Sequence, residues 1–385
     1  MTEIAYINES LKASLTNDSG KSPVSLDGPG DTQSWPTWSP NGRYVVYSAF
    51  SSGMNGHGRI GVYLHDLSSG DTERIFANEP GSDGIARRTP HYVLWSPNGK
   101  MISLVVRSKA EGLSGLVYQV GEQGPPKLVH DGFPLFSSWS RNSRFLLFHA
   151  GAEHYLVDFE GESTPRRMPG DSRLYMTPSW SPRGAAMGLL SEGKEYRSSL
   201  MIVDVENLSA QTLVEFNGNG AFVWSPDGES VGLTREPQGE SRFYNGIWHV
   251  TLDGSERKIV NDMVLAFFWS PNGKEIAYVT TSEGAEGSVR WGLVDVESGE
   301  SRYLSDFRPT EEQLSVFMFF DQYVQSHNPW SPDGSALIYS GALGYTKGRD
   351  PLPGQDDARV IVENVIAGGP TEVARGILGT WSPKT

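Results

Sequence analysis

The stretch of residues 267–304, FFWSPNGKEIAYVTTSEGAEGSVRWGLVDVESGESRYL, contains the pattern that decides the fold. An apolar segment ends at Trp269, and the Asn-Gly pair after it supplies the positive φ angles of a tight hairpin turn. Residues 275–280 and 291–296 then have strand-like composition, and a Ser-Gly turn leads into residues 301–304. The stretch predicts four antiparallel strands, which we call A (ending at the Trp), B, C and D.

The Trp-Ser pair of this stretch recurs along the whole chain. Neighbouring copies are 41 to 61 residues apart, a period typical of one four-stranded blade of a β-propeller. The sequence therefore predicts an all-β fold, an eight-bladed β-propeller of four-stranded antiparallel blades. The eight copies begin at Trp38, Trp95, Trp139, Trp180, Trp224, Trp269, Trp330 and Trp381.

The eighth copy comes four residues before the end of the chain and has no B, C or D strand after it. Residues 3–7, 11–15 and 23–26 at the other end have the pattern of these three strands. We therefore expect residues 1–26 to complete the blade that begins at 376–385. Pairing the two termini in one sheet would remove exposed strand edges and make residues 1–385 a single propeller domain.

Seven of the eight copies read Trp-Ser-Pro, and most continue with Asn-Gly or Asp-Gly. This repeat resembles that of the TolB-type propellers, which is also found in the propeller domains of prolyl oligopeptidase and dipeptidyl peptidase relatives. The resemblance covers essentially the whole chain and implies the fold without implying a function. Those peptidases carry their catalysis in an α/β-hydrolase domain, and its Gly-x-Ser-x-Gly motif does not occur in this sequence.

Composition excludes several classes of protein. The chain has 385 residues and no cysteine, so disulfide scaffolds and thiolate metal sites are excluded, and its net charge of −14 argues against nucleic-acid binding. It contains no run of about 18 apolar residues, which predicts no membrane insertion. The first residues have neither a basic nor an apolar signal-peptide region, so we expect a cytoplasmic location, or a periplasmic one if a leader was removed.

The long connections of the predicted blades are B-to-C and D-to-A loops, which share one face. They comprise residues 50–59, 77–91, 235–245, 306–327 and 341–357, and eleven of the 22 arginines lie in or beside the loops of this long-loop face. Extended loops on a rigid scaffold are common places for binding, and the repeat tryptophans are expected to pack between the sheets as core.

Arginine binds carboxylate and phosphate groups through paired N–H donors. We therefore predict a non-catalytic binding propeller, a scaffold that presents the long-loop face to a protein partner or an anionic small molecule. The alternative for the arginines is ordinary pairing with nearby acidic residues. The predicted ligand-binding residues are Arg59, Arg88, Arg197, Arg242, Arg290, Tyr323 and Gln325.

A second function rests on His327, which lies three residues before Trp330 on a strand expected to approach the central channel. With Gln325 it is similar to part of the site in oligogalacturonate lyase, a propeller whose channel metal is held by histidines and a glutamine. This weaker resemblance implies a metal-assisted lyase or hydrolase acting on an anionic, sugar-acid-like substrate at the channel mouth. His327, His91 and Asp321 would be its catalytic and metal-binding residues, with a divalent metal as cofactor; the alternative is that such histidines are hydrogen-bonded structural residues.

The longest loop also contains an apolar run at residues 317–320, Phe-Met-Phe-Phe. Three interpretations remain open for it: a patch for a partner, a lid over the channel mouth, or core under a long loop.

Overall fold

The computed structural model describes residues 2–21, 23–53, 58–108, 112–161, 164–169, 171–172, 176–193, 195–237, 243–282, 287–344 and 352–383. Strands make up most of the regular structure of these residues, and the two helices within them have eight and four residues. The prediction of an all-β fold is confirmed. None of the helices in these ranges has the length and apolar character needed to cross a membrane.

The elements follow one another as the repeat predicts, with one helical insertion. In the first half of the chain the strands are β1 (Glu3–Asn8), β2 (Ala13–Asn17), β3 (Val24–Ser25), β4 (Thr32–Trp38), β5 (Tyr44–Ser51), β6 (Arg59–Asp66), β7 (Thr72–Ala77), β8 (Tyr92–Trp95), β9 (Met101–Arg107), β10 (Leu113–Gln119), β11 (Lys127–Gly132), β12 (Leu135–Trp139), β13 (Phe145–Ala150), β14 (Glu153–Asp158), β15 (Arg166–Arg167), β16 (Ser179–Trp180) and β17 (Ala186–Glu192). The remaining elements are β18 (Arg197–Asp204), β19 (Ala210–Asn217), β20 (Gly220–Trp224), β21 (Ser230–Arg235), β22 (Tyr244–Thr251), β23 (Glu256–Trp269), β24 (Glu275–Thr281), β25 (Val289–Asp295), β26 (Ser301–Pro309), α1 (Glu311–Met318), α2 (Phe320–Tyr323), β27 (Ala336–Leu343), β28 (Arg359–Asn364) and β29 (Pro370–Trp381).

The strands form antiparallel sheets in which sequence neighbours pair. Four sheets have four strands each: β4 to β7, β8 to β11, β12 to β15, and β16 to β19. The strands β20 to β29 and β1 to β3 form one continuous sheet. Its units are joined by β23, which pairs with β22 and β24, by the pairing of β26 with β27, and by β29, which pairs with β28 and β1. The predicted four-stranded antiparallel sheets are therefore present.

The two ends of the chain lie in the same sheet. Strand β1 pairs with the last part of β29, with Ile4 opposite Trp381, and β2 and β3 extend the sheet outward. Ile4, Ala5 and Ile7 are completely buried. The N-terminal segment is thus packed as part of the core.

The turn after each Trp-Ser pair explains why the repeat keeps its polar residues. The Ser270 hydroxyl donates to Asn272 Oδ1 at 2.8 Å and accepts from the Glu275 N–H at 3.0 Å, and Gly273 has a φ of +70°. Glycine adopts that conformation without the steric cost of a Cβ. The same pair of bonds is made by Ser39, Ser96, Ser140, Ser225 and Ser331.

The repeat tryptophans pack between units, as predicted, and each of these residues is at most 7% exposed. Most of their indole N–H groups donate to the strand of the preceding unit, which satisfies a buried donor and fixes how adjacent sheets sit. These bonds join Trp38 to the Thr380 carbonyl, Trp180 to Ser138, Trp224 to Ser179, Trp269 to Val223, Trp330 to Phe268 and Trp381 to Pro329, whereas Trp139 donates to the Ser103 hydroxyl.

The helices α1 and α2 occupy the longest loop, where the sequence reading placed no helix. Thr310 caps α1 by accepting from the Gln313 N–H at 3.1 Å, and Glu311 and Glu312 lie in the first turn, where the helix dipole favours acids. Phe317 and Phe320 are buried, whereas Met318 is 46% exposed. The apolar run is therefore mainly core.

Candidate functional site

The helical segment 311–323 lies among the A strands of several units. Gln322 holds it in place: its side-chain Nε2 donates to Tyr92 Oη at 2.8 Å and to the Ser137 carbonyl at 3.0 Å, and its Oε1 accepts from the Ser137 N–H. The Tyr92 hydroxyl in turn donates to the Gln322 carbonyl at 2.9 Å. All these groups are buried, so the bonds are shielded from competition with water.

Aromatic contacts extend the same packing to other units. Tyr323 stacks on Trp35 at a centroid distance of 4.9 Å, and Phe320 packs on Phe267 at 4.9 Å. On the far side, the Thr310 hydroxyl donates to the Ile377 carbonyl at 2.6 Å. The segment therefore fills the space between the A strands at their long-loop end.

His91 lies at the base of the loop 77–91 and is 1% exposed. Its Nε2 is 2.6 Å from Asn78 Oδ1, and its Nδ1 is 2.7 Å from the Ser48 hydroxyl. Because an amide oxygen only accepts, Nε2 carries the proton and Nδ1 accepts from Ser48. Burial lowers the pKa of His91 to about 3, so the ring is neutral and both of its nitrogens are engaged.

His327 is also buried, at 6% exposure, beneath the end of α2. Its Nδ1 is 2.9 Å from the Ser326 hydroxyl, and the ring packs edge-on against Trp35 and Tyr323. Burial lowers its pKa to about 4, partly offset by the backbone of Pro36. The imidazole is therefore neutral and belongs to the aromatic packing.

Asp321 is buried beside Thr177, away from the rings that surround His327. Its carboxylate accepts from the Gln322 N–H at 3.1 Å, and burial raises its pKa to about 6, partly offset by the neighbouring Thr177. Within the described ranges no three His, Asp or Glu side chains are grouped so that they could hold a metal ion. The geometry therefore does not assemble His91, His327 and Asp321 into the expected set of ligands, and a metal role for them stays a prediction.

Arg88 fastens the loop before β8 to helix α1. Its guanidinium contacts Glu311 at 3.1 Å and Glu312 at 3.5 Å, and its carbonyl accepts from Trp35 Nε1 at 2.8 Å. Arg87 beside it contacts Glu311 at 3.3 Å, with 84% of its side chain exposed. The Arg88 side chain thus forms ion pairs that hold the loop on α1, whereas most of the Arg87 side chain is exposed to solvent.

The other predicted binding residues are scattered. Arg197 contacts Glu215 at 3.0 Å, and Arg290 lies over the ring of Tyr303. Arg59 is exposed at the start of β6. Tyr323 is buried within the helical packing, Gln325 donates to the Ser137 carbonyl at 3.4 Å, and Arg242 lies outside the described residues.

A groove remains at the edge of the helical segment on the long-loop face. It has a volume of about 220 Å³. Phe133 at its edge is 57% exposed, an unusual state for a phenylalanine. The main apolar walls are Ile85, Leu113, Phe133, Phe136 and Phe319.

Sequence reasoning missed both this groove and Gln322. The sequence does contain a start signal for the helical segment that forms them, since Thr310 and Gln313 have the Ser/Thr-x-x-Glu/Gln spacing of a capping box. The groove walls come from strands, loops and a helix that are far apart in the sequence, and no local pattern in the sequence relates them.

No family model matches the chain. The chain is 24% identical over 264 residues to an uncharacterized protein of Agrobacterium fabrum, covering 64% of this chain and 82% of that protein. It is 32% identical over 71 residues to the Tol-Pal system protein TolB of Alcanivorax borkumensis, covering 18% of this chain and 14% of TolB.

Solved structures extend the likeness over the whole fold. A eukaryotic initiation factor matches with a TM-score of 0.58 at 15% identity, covering 100% of this chain and 98% of that one. TolB from Acinetobacter baumannii matches with a TM-score of 0.45 at 17% identity, covering 89% and 84% of the two chains. An oligogalacturonate lyase in complex with manganese matches with a TM-score of 0.49 at 16% identity, covering 96% and 83%. The predicted resemblance to TolB is confirmed by the shared sequence over 71 residues, and the chain is a β-propeller with a repeat similar to that of TolB.

Proposed function

We propose that this chain is a non-catalytic binding propeller: a single domain of eight blades that closes its ring through the two termini and presents its long-loop face to a protein partner. The ring closure is supported by the pairing of β1 with β29 and by the bond from Trp38 Nε1 to the Thr380 carbonyl, at 3.3 Å. The equivalent bond joins successive units elsewhere, so this bond supports a ring in which the first unit contacts the last.

The observation that carries the binding function is the filled long-loop end of the channel. The helical segment packs against Trp35, Tyr92 and Phe267 of the A strands. Both ring nitrogens of the buried His91 are hydrogen-bonded, to Ser48 and Asn78. A ligand on this side therefore meets the outer surface of the segment and the groove beside it.

The chemistry of that surface favours a protein segment with an apolar anchor and an acidic neighbour. The groove offers apolar walls and an exposed Phe133, and Arg87 follows its wall residue Ala86 directly in the chain. Partly exposed aromatic side chains and arginine are enriched at protein interfaces. An anionic small molecule would use the same arginine.

Photo-crosslinking tests this proposal in the cells that make the protein. Benzoylphenylalanine is placed at Phe133 and, as a matched control, at Val24, because both positions are 57% exposed and lie on different parts of the surface. We expect a discrete covalent adduct from position 133 that weakens when Arg87→Glu is added, and none from position 24. Equal adducts from the two positions, or none from position 133, would contradict the proposal.

The metal-assisted lyase or hydrolase stays a prediction for which the described geometry offers no ligand set. Manganese titration of untagged protein, with thermal unfolding as the readout, tests it directly. A shift that is lost in both His327→Ala and His91→Ala would favour that function over the binding function. The cytoplasmic location also stays a prediction.

A further inference from the structure

The other end of the channel contains a second cavity, of about 320 Å³. Its walls come from the Trp-Ser-Pro turns that begin at Trp38, Trp95, Trp330 and Trp381. A-to-B turns lie on the face opposite the long loops, so this turn-side cavity is separate from the groove described above. A volume near 300 Å³ with aromatic and apolar walls is typical of a small-molecule site.

The floor of the turn-side cavity is polar. It is formed by residues that follow α2, among them Gln325, Ser326 and Asn328. Asn328 Oδ1 accepts from the Trp330 N–H at 3.0 Å, and Gln325 Nε2 makes the long bond to Ser137. In the part of the chain that the structure describes, Gln325 Oε1 and Asn328 Nδ2 make no further hydrogen bond, so one acceptor and one donor remain for a ligand.

Charge narrows the class of ligand. None of the described residues that line the turn-side cavity is Asp, Glu, Lys, Arg or His. A charged ligand would lose its hydration here without gaining a counter-charge, which is costly. A neutral ligand that carries an amide or a carbonyl would instead match the amide floor.

Trp95 supplies an independent observation. It is the one repeat tryptophan whose indole Nε1 has no acceptor among the described residues, although the group is buried and the side chain belongs to the cavity wall. The equivalent acceptor would be the Thr37 carbonyl in the neighbouring strand β4, at the residue where the register shift between Ser34 and Thr37 ends. A buried N–H without a partner costs free energy. The N–H is enclosed in this structure, so a ligand carbonyl would satisfy it only after a movement of the indole ring that forms the cavity wall.

We propose that the turn-side cavity is a binding site for a small neutral molecule that combines an apolar body with an amide or carbonyl group. The apolar body packs against the Trp and Pro side chains. The amide group pairs with Gln325 and Asn328, and the Trp95 indole ring contacts the ligand as part of the wall. The site does not depend on the long-loop face.

The test uses N-acetyl-L-phenylalaninamide as the neutral probe and N-acetyl-L-phenylalanine as its anionic counterpart. Protein labelled with ¹⁵N at tryptophan reports through the indole N–H resonances, with that of Trp95 assigned from Trp95→Phe. We expect the amide to shift the Trp95 resonance in a saturable way and to leave that of Trp35 unchanged. The carboxylate should bind at least about tenfold more weakly.

Two near-isosteric variants locate the effect. Gln325→Glu and Asn328→Asp place a negative charge on the floor, and the latter keeps the oxygen that accepts from Trp330. Each should weaken amide binding at least about tenfold, whereas the surface control Gln211→Glu should not change it. No shift of Trp95 by the amide, equal binding of the carboxylate, or unchanged binding in both floor variants would overturn the proposal.

Discussion

The two ends of the channel are built from different parts of the sequence. The turn end is walled by residues of the repeat motif, such as Trp95 and Pro97. The long-loop end is closed by a single insertion, the helical segment between β26 and β27, which is held by Gln322 and Arg88. The repeated units thus form the sheets, whereas the single insertion between β26 and β27 determines what each end can bind. It closes the long-loop end and also supplies the floor of the turn-side cavity.

Removing the N-terminal strands should lower the stability most, and it should affect the turn end and the long-loop end of the channel equally. Deletion of residues 2–26 exposes the edge of β29 and removes the fully buried Ile4, Ala5 and Ile7. We expect the free energy of unfolding to fall by more than about 5 kcal/mol, measured by urea denaturation. Val24→Ser in the same segment, at an exposed position, should be nearly neutral. An undiminished stability of the deletion variant would refute ring closure through the termini.

Phe320→Ala should affect the long-loop end first. The side chain is 1% exposed and packs against Phe267, Phe268 and Tyr244. Loss of a buried phenylalanine costs about 3 to 5 kcal/mol. Met318→Ala, on the neighbouring exposed position, should cost within about 0.5 kcal/mol. Similar losses of stability in the two variants would mean that the helical segment is not tightly packed against the A strands.

Asp321→Asn should stabilise the same end in a pH-dependent way. Burial raises the pKa of Asp321 to about 6, above the unfolded value of about 3.9, so ionisation opposes folding as the pH rises through this range. At pH 8 the variant should gain up to about 3 kcal/mol, and the gain should vanish near pH 4. The exposed Asp253, whose pKa is lowered by its hydrogen bonds to Thr251 and Ser255, provides the control: Asp253→Asn should not stabilise at pH 8. A pH-independent difference for Asp321→Asn would exclude this origin.

His91→Gln tests the smallest of these effects. Burial lowers the pKa of His91 to about 3, below the unfolded value of about 6.5, so its contribution to stability is lost as the pH falls below 6.5. Between pH 7 and pH 5 the wild-type protein should lose about 2 kcal/mol through this residue, and His91→Gln should lose correspondingly less. Unfolding by urea at the two pH values measures the difference. Equal losses in both proteins would show that another group is responsible.

The fold was predictable because its signals are local. Ser270, Asn272 and Glu275 make the repeat turn within six residues, so the pattern is visible in one stretch and then recurs. The candidate site was predicted less well, since its contacts join distant parts of the chain. Arg88 pairs with Glu311, and His91 with Ser48, and neither partner could be chosen from a single sequence.

The pairing of β1 with β29 also bears on the order of folding during synthesis. Ile4 is translated long before its partner Trp381, with almost all of the other strands between them in the sequence. Until then the N-terminal strands have an open edge that can pair with another chain. Contacts of such long sequence separation also form slowly. Nascent chains of this protein should therefore depend on chaperones until β29 has been translated, and the interval should lengthen wherever translation of β28 and β29 is slow.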